Sequence, residues 1–178
     1  MSSMIGRPIA MTDIETTGLD PMVHEIIEIG LLVVHQETFK VMDRLDLKVR
    51  PEHIETAQSE ALKVNGYLKE DWGGAISLKE AMMLFGEKTR GTVFCAHNVT
   101  FDWSFICEAF RRTRVENELD YHRIDLFTLA WAKLRKEGLE HFTMNAVAKY
   151  LGIPEETSPH RAMGGATVAC EVYKKLMK

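Results

Sequence analysis

The hydrophobic period of this chain changes near residue 50, and that change restricts its fold more than any other feature. Ahead of it lie three β-rich runs joined by short links. Pro8 to Ile14 is a short apolar run that ends in acids, and Glu25 to His35 is rich in Ile, Leu and Val. Val41 to Arg50 alternates, with Val41, Leu45, Leu47 and Val49 on one face and Met42, Arg44, Asp46, Lys48 and Arg50 on the other. The link from Gln36 to Lys40 is short enough for a hairpin, so the three runs read as an antiparallel meander. Beyond residue 50 the spacing turns helical: Leu78, Ala81, Met82 and Phe85; Phe101, Phe105, Ile106 and Ala109; Leu126, Leu129, Ala130 and Leu134; Met144, Val147, Ala148 and Leu151. Thr143 and Gly152 suit the two ends of the last of these. A β-branched run, Thr92 to Ala96, separates the first two helices, and a final helix is expected through Val168 and Val172 to Leu176. Strands first, then strands alternating with helices, predict an α/β fold with a mixed sheet.

Composition removes several classes. A length of 178 residues without internal repeats or Pro/Ser-rich linkers reads as one domain, residues 1–178, and 46% hydrophobic with 27% charged residues is globular. A membrane span needs about twenty apolar residues in a row; runs such as Ile29 to Val34 are far shorter, so no membrane association is expected. No basic-then-apolar segment opens the sequence, and Cys95, Cys107 and Cys170 show no close metal-type spacing. They read as reduced thiols, and the expected location is cytoplasmic. Lys and Arg number 22 against 26 Asp and Glu, for a net charge of −4, which excludes a protein that coats long stretches of nucleic acid.

Three constellations carry chemistry. The strand Ile9-Ala10-Met11-Thr12-Asp13-Ile14-Glu15 ends in two carboxylates that point to one face, about 6.6–6.8 Å apart at Cα. Two acids there repel each other and lose hydration, so they stay ionised cheaply only with a cation between them. A strand that runs out into a turn at Thr16-Thr17-Gly18 explains such a triplet equally simply. Asp102 opens an amphipathic helix after Ala96-His97-Asn98-Val99-Thr100-Phe101, where it could serve as a dipole partner, with Asn98 as an N-cap. His160, in Ser158-Pro159-His160-Arg161, sits just before the last helix and can exchange a proton near neutral pH.

In this order, Thr12-Asp13-Ile14-Glu15-Thr16-Thr17-Gly18, Ile26-Ile27-Glu28-Ile29-Gly30, Ala96 through Asp102 and His160-Arg161-Ala162 resemble the DEDD-type 3′–5′ exonucleases. This ribonuclease-H-like family includes polymerase proofreading subunits and ribonuclease T, and the resemblance runs from about Pro8 to Leu176. A histidine at position 160 is similar to the histidine subclass. The resemblance implies a mixed five-stranded sheet, antiparallel over its first three strands and then parallel, flanked by helices. It implies two divalent cations, Mg²⁺ or Mn²⁺, with Asp13 bridging them, Glu15 on one and Asp102 on the other. His160 would take a proton from the attacking water, a role worth about 10²–10⁴-fold. The loop Thr16-Thr17-Gly18-Leu19 would receive the terminal nucleotide, with Asn98 and Phe101 close by. The implied partners are single-stranded or frayed 3′ ends of DNA or RNA; a homodimer or a polymerase partner is left open.

The sequence departs from the family at the fourth acidic ligand. Five residues after His160 stands Gly165, in His160-Arg161-Ala162-Met163-Gly164-Gly165-Ala166. That change weakens one ion site and leaves a second reading open, a catalytically weak or silent relative that binds 3′ ends. A hydrolase of small nucleotides is a third. Two adjacent glycines also imply either that the helix starts after Gly165 or that its backbone approaches something closely. Arg111, Arg112 and Arg114 could guide phosphates or simply end a helix; Trp72, Trp103 and Trp131 could stack on bases or fill the core; Asp125 reads as an N-cap.

Overall fold

In the computed structural model, which describes residues 4–154 and 158–178, the three β-rich runs form β1 (Ile9–Thr16), β2 (Ile26–Val34) and β3 (Val41–Lys48). Every residue of β2 is buried, as its continuous apolar run requires, whereas β3 lies at the sheet edge and is largely exposed. Two shorter strands, β4 (Val93–Ala96) and β5 (Arg123–Asp125), complete the order β3-β2-β1-β4-β5. The first three strands pair antiparallel and the last two add in parallel. Among the described residues, six α-helices surround the sheet: α1 (Ser59–Asn65), α2 (Leu78–Thr89), α3 (Val99–Thr113), α4 (Leu126–Leu134), α5 (Met144–Tyr150) and α6 (Ala162–Met177). None of them is long and apolar enough to cross a membrane.

Alternation along β1 assigns its side chains to two layers. Ala10 and Ile14 pack with Phe85 of α2 and with Phe105 and Ile106 of α3. Ile9 and Met11 face the other way, onto Leu126 of α4 and Ala169 and Tyr173 of α6. Asp13 and Glu15 continue the second set, so the two acids lie on the α6 face. Pairing of β1 with β4 stops at Met11 and Cys95, and β1 runs on from Thr12 without that neighbour. The sheet therefore opens where it changes from antiparallel to parallel, at the carboxyl ends of its central strands. Ligands bind at such crevices in open α/β sheets.

α6 is docked onto this opening by β2. Gly30 lies directly opposite Asp13, and a Cβ on Gly30 would stand 2.1 Å from the Ala162 carbonyl oxygen, so only glycine lets the helix start so close to the sheet. Two residues along, Glu28 accepts a hydrogen bond from the Ala162 N–H at 3.2 Å and one from Arg161 Nη1 at 3.1 Å. Arg161 supplies no side-chain cap of its own; Glu28 takes that function from the neighbouring strand. Burial pushes the Glu28 carboxyl up, while the Ala162 N–H and the Arg161 guanidinium pull it down. Arg161 Nη1 also donates to the Asn65 carbonyl at 2.9 Å, which ties α6 to the end of α1.

The last helix starts at Ala162, so Gly164 and Gly165 are helical and the close-approach alternative is the one realised. Gly30→Ala is expected to push the start of α6 off the sheet. The clash is with backbone, which cannot rotate away, and overpacking of this kind costs about 1–3 kcal/mol. Thermal denaturation checks it, and an unchanged midpoint would remove Gly30 from this role.

Candidate active site

The β1–β2 loop is built by its own hydroxyls. Thr16 Oγ1 donates to the Gly18 carbonyl at 2.7 Å, and Thr17 Oγ1 accepts from the Glu25 N–H at 2.9 Å. Thr16, Thr17 and Gly18 are buried, and a Cβ on Gly18 would lie 2.4 Å from the ring of His24 packed over it. Leu19 alone of these four projects outward, at 72% exposure. Arg112 steadies the same loop from α3 by donating to the Pro21 and Met22 carbonyls at 2.9 and 3.0 Å, and Arg111 and Arg112 both pair with Glu108. These two arginines are thus engaged within the fold. Trp72 is buried, with its indole N–H donating to the Ile27 carbonyl at 3.0 Å; Trp103 is half-buried and Trp131 exposed.

Asp102, in the first turn of α3, is buried at 3% exposure. Its carboxylate accepts the N–H of Ile14, which β1 offers there after leaving β4. Burial pushes the Asp102 carboxyl up to about 8 and the negative charge of Glu15 adds to the rise, against the backbone N–H donors that stabilise the anion. At neutral pH such a group holds its proton unless a cation replaces it.

Asp13 and Glu15 are half-buried on the wall of a cleft of about 460 Å³ that His97, Asn145, His160 and Gly165 also line. A Cβ on Gly165 would stand 2.3 Å from Asp13 Oδ2, so the Asp13 carboxylate rests against the bare glycine. His160 is positioned by its backbone N–H, which donates to the Val64 carbonyl of α1 at 3.1 Å. Asp102 lies near Glu15 but does not line the cleft.

Asn98 occupies the N-cap position of α3 with φ 59°, yet its side chain makes no capping bond, contrary to the simple N-cap reading. Asp125 caps the helix in its place. Its Oδ1 accepts the Val99 N–H and its Oδ2 the Thr128 N–H, each at 3.0 Å, so one carboxylate caps both α3 and α4. Phe101 is half-buried and packs on Phe105, ring centres 5.2 Å apart.

The donors suit a hard cation in kind. Carboxylate oxygens of Asp13, Glu15 and Asp102 are the ligands that Mg²⁺ and Mn²⁺ prefer, and burial raises the cost of charge on Asp102 until a cation offsets it. Their cage is open, however: among the described residues, no three His, Cys, Asp or Glu side chains converge into a ready-made metal cluster. The cleft also includes His97, Thr143, Met144 and Asn145, which sequence reasoning did not single out as site residues. His97 stood within a quoted motif, but nothing in the spacing pointed to residues 143–145.

The exonuclease family, by its sequence model, matches residues 11–173. This chain belongs to the exonuclease family. Among curated relatives, PolC-type DNA polymerase III of Thermotoga petrophila is 27% identical over 99% of this chain and 12% of its own length. The 3′–5′ exonuclease DinG of Staphylococcus epidermidis is 28% identical over 93% of this chain and 18% of its own. The chain thus spans less than a fifth of these relatives. Among solved structures, a zinc-bound E. coli exonuclease I complex with single-stranded DNA superposes with a TM-score of 0.82 at 20% identity, over 97% of this chain and 40% of that one. The complex of the same enzyme with a dA16 oligonucleotide gives 0.81 at 20% identity, with 97% and 41% covered. The exonuclease fold expected from the sequence, five mixed strands flanked by helices, is therefore the fold observed.

Proposed function

We propose that this exonuclease-family chain hydrolyses the terminal phosphodiester at the 3′ end of a single strand, releasing a nucleoside 5′-monophosphate. The observation that carries the reading is the single cleft in which Asp13 and Glu15 of β1 meet His160, with buried Asp102 close to Glu15. Asp13, Glu15 and Asp102 would hold two divalent ions, Mg²⁺ or Mn²⁺, which supply Lewis-acid polarisation of the phosphate and a more acidic water. His160 accepts the proton of the attacking water as its oxygen bonds to phosphorus. The bond from phosphorus to the 3′ oxygen of the penultimate nucleotide breaks, and that oxygen takes a proton from solvent to become the new 3′ hydroxyl, while His160 returns its own proton to solvent. Leu19, exposed at the tip of a loop fixed by Thr16, Thr17 and Gly18, contacts the departing nucleotide together with Phe101, while Asn98 lies further along the strand. Three free cysteines and the family's bacterial DNA-processing relatives support a cytoplasmic location, and the PolC-type relatives support a polymerase context.

A second reading, a weakened relative that holds 3′ ends, is favoured by one observation, the bare Gly165 against Asp13. A time course on labelled DNA and RNA strands in Mg²⁺, Mn²⁺ and chelator separates the two, because binding without turnover in Mn²⁺ leaves only the second. Gly165→Asp refines the test. The new Cβ obliges the Asp13 carboxylate to swing away, which a terminal group on a short side chain can do, and adds a fourth carboxylate. The expected result is a Mn²⁺ requirement lowered about tenfold, equivalent to roughly 1.4 kcal/mol of binding. An unchanged Mn²⁺ titration means that residue 165 is not the missing ligand position.

A further inference from the structure

Beyond the catalytic cleft, a second cleft of about 680 Å³ opens between the start of α3, α4 and the segment that leads into α5. His97, Thr143 and Met144 line both clefts, so they form a shared wall rather than two unrelated hollows. Its volume lies within the range of about 300–1,000 Å³ typical of ligand sites.

We infer that this second cleft receives a nucleobase of the strand upstream of the scissile bond; the inference rests on the proposed 3′-end hydrolysis. Three observations support a base as the occupant. First, aromatic faces dominate it. Phe127 is 43% exposed, although it is large and apolar, and its ring lies 6.2 Å from His97 and 6.3 Å from Phe142, edge to face in both cases. A protruding ring braced by two others is a stacking platform, and every base has a π-face to lay on it.

Second, the charge is wrong for phosphate. Among the described residues, no Lys or Arg lines the cleft, while Glu140 and His141 do; no permanent positive charge is there to hold an anionic backbone, and a neutral base needs none. Third, polar groups for a base edge are present. Asn98 lines the cleft, and its side chain is not spent on capping α3. The shared wall itself is fixed, because His97 Nε2–H donates to the Phe142 carbonyl at 2.9 Å.

The chain thus uses the β4–α3 junction twice. Asp102 reaches inward, while His97 and Asn98 face the second cleft. A strand whose last phosphate lies at Asp13 and Glu15 would cross His97 and stack an upstream base on Phe127.

Phe127 is exposed enough to be changed without unfolding the protein. Phe127→Ala, with Phe127→Tyr as the conservative control, should be compared with the unaltered chain in two assays. In chelator, where no cleavage occurs, anisotropy of a labelled dT8 strand should report a Kd raised about tenfold by Phe127→Ala and restored by Phe127→Tyr, since a lost base stack costs about 5-fold or more. In Mn²⁺, hydrolysis of the p-nitrophenyl ester of thymidine 5′-monophosphate, which has no upstream base, should be unaffected by either change. Equal dT8 affinity for Phe127→Ala and the unaltered chain overturns the inference, whatever the ester shows. Failure of the unaltered chain to cleave the ester or dT8 strikes the proposed hydrolysis instead, and the binding comparison still decides the cleft.

Discussion

Asp13→Ala is expected to lower hydrolysis of a labelled single strand by about 10³-fold or more while the protein still folds. The magnitude follows from what the residue does in the proposed mechanism. Losing one preorganised electrostatic group at a reacting centre costs about 10²–10³-fold, and Asp13 is assigned to both cations. Folding should survive because Asp13 is half-buried and its carboxylate rests against Gly165, not inside a packed layer. The removal relieves like-charge repulsion with Glu15, two residues along the same face. Two measurements distinguish this from a general defect. The thermal midpoint in chelator should stay level or rise, and the stabilisation given by Mn²⁺ should shrink. Full activity of the Asp13→Ala protein in Mn²⁺ would place the chemistry elsewhere.

This prediction depends on a placement that the sequence made readable. Alternation in Ile9-Ala10-Met11-Thr12-Asp13-Ile14-Glu15 puts the two acids on one face, and the structure adds that the face is the one covered by α6. The long amphipathic helices were equally readable, since Phe105 and Ile106 or Val147 and Ala148 bury a continuous stripe. Other elements gave no such signal. α1 is seven residues long and buries only Asn65, so it has no apolar period to detect. β5 is three residues with Arg123 and Asp125 at its ends, and it exists because β4 offers an open edge. The N-cap alternative for the Asn98 side chain failed because the competing acceptor, Asp125, is remote in the chain and approaches only when β5 pairs with β4. Glu28 and Gly30 belong to the same kind of information. Their spacing looks like part of an ordinary buried strand, yet they define where α6 begins, and with it the positions of His160 and Gly165.

Asp102 gives the second large effect, and its sign runs opposite to that of an ordinary paired carboxylate. Its folded-state value is raised to about 8, far above the roughly 3.9 of an unfolded aspartate. Between those limits the folded protein holds a proton that the unfolded chain has released, so this group destabilises the metal-free fold progressively as pH rises. Its favourable contribution is complete below about pH 4 and lost by about pH 8. The clean measurement is a difference, since other groups titrate too. Asp102→Asn keeps the shape and cannot ionise. In chelator it should match the unaltered chain near pH 4 and exceed it by about 2–4 kcal/mol at pH 7, an integral of at most roughly 1.4 kcal/mol per pH unit. Mn²⁺ should narrow the gap by stabilising the unaltered chain more, because a bound cation replaces the proton and repays the burial of the charge. A difference that does not change from pH 4 to pH 8 would mean that Asp102 ionises freely where it lies. In that case its burial against Ile14 and Glu15 supplies no reason for a cation to enter.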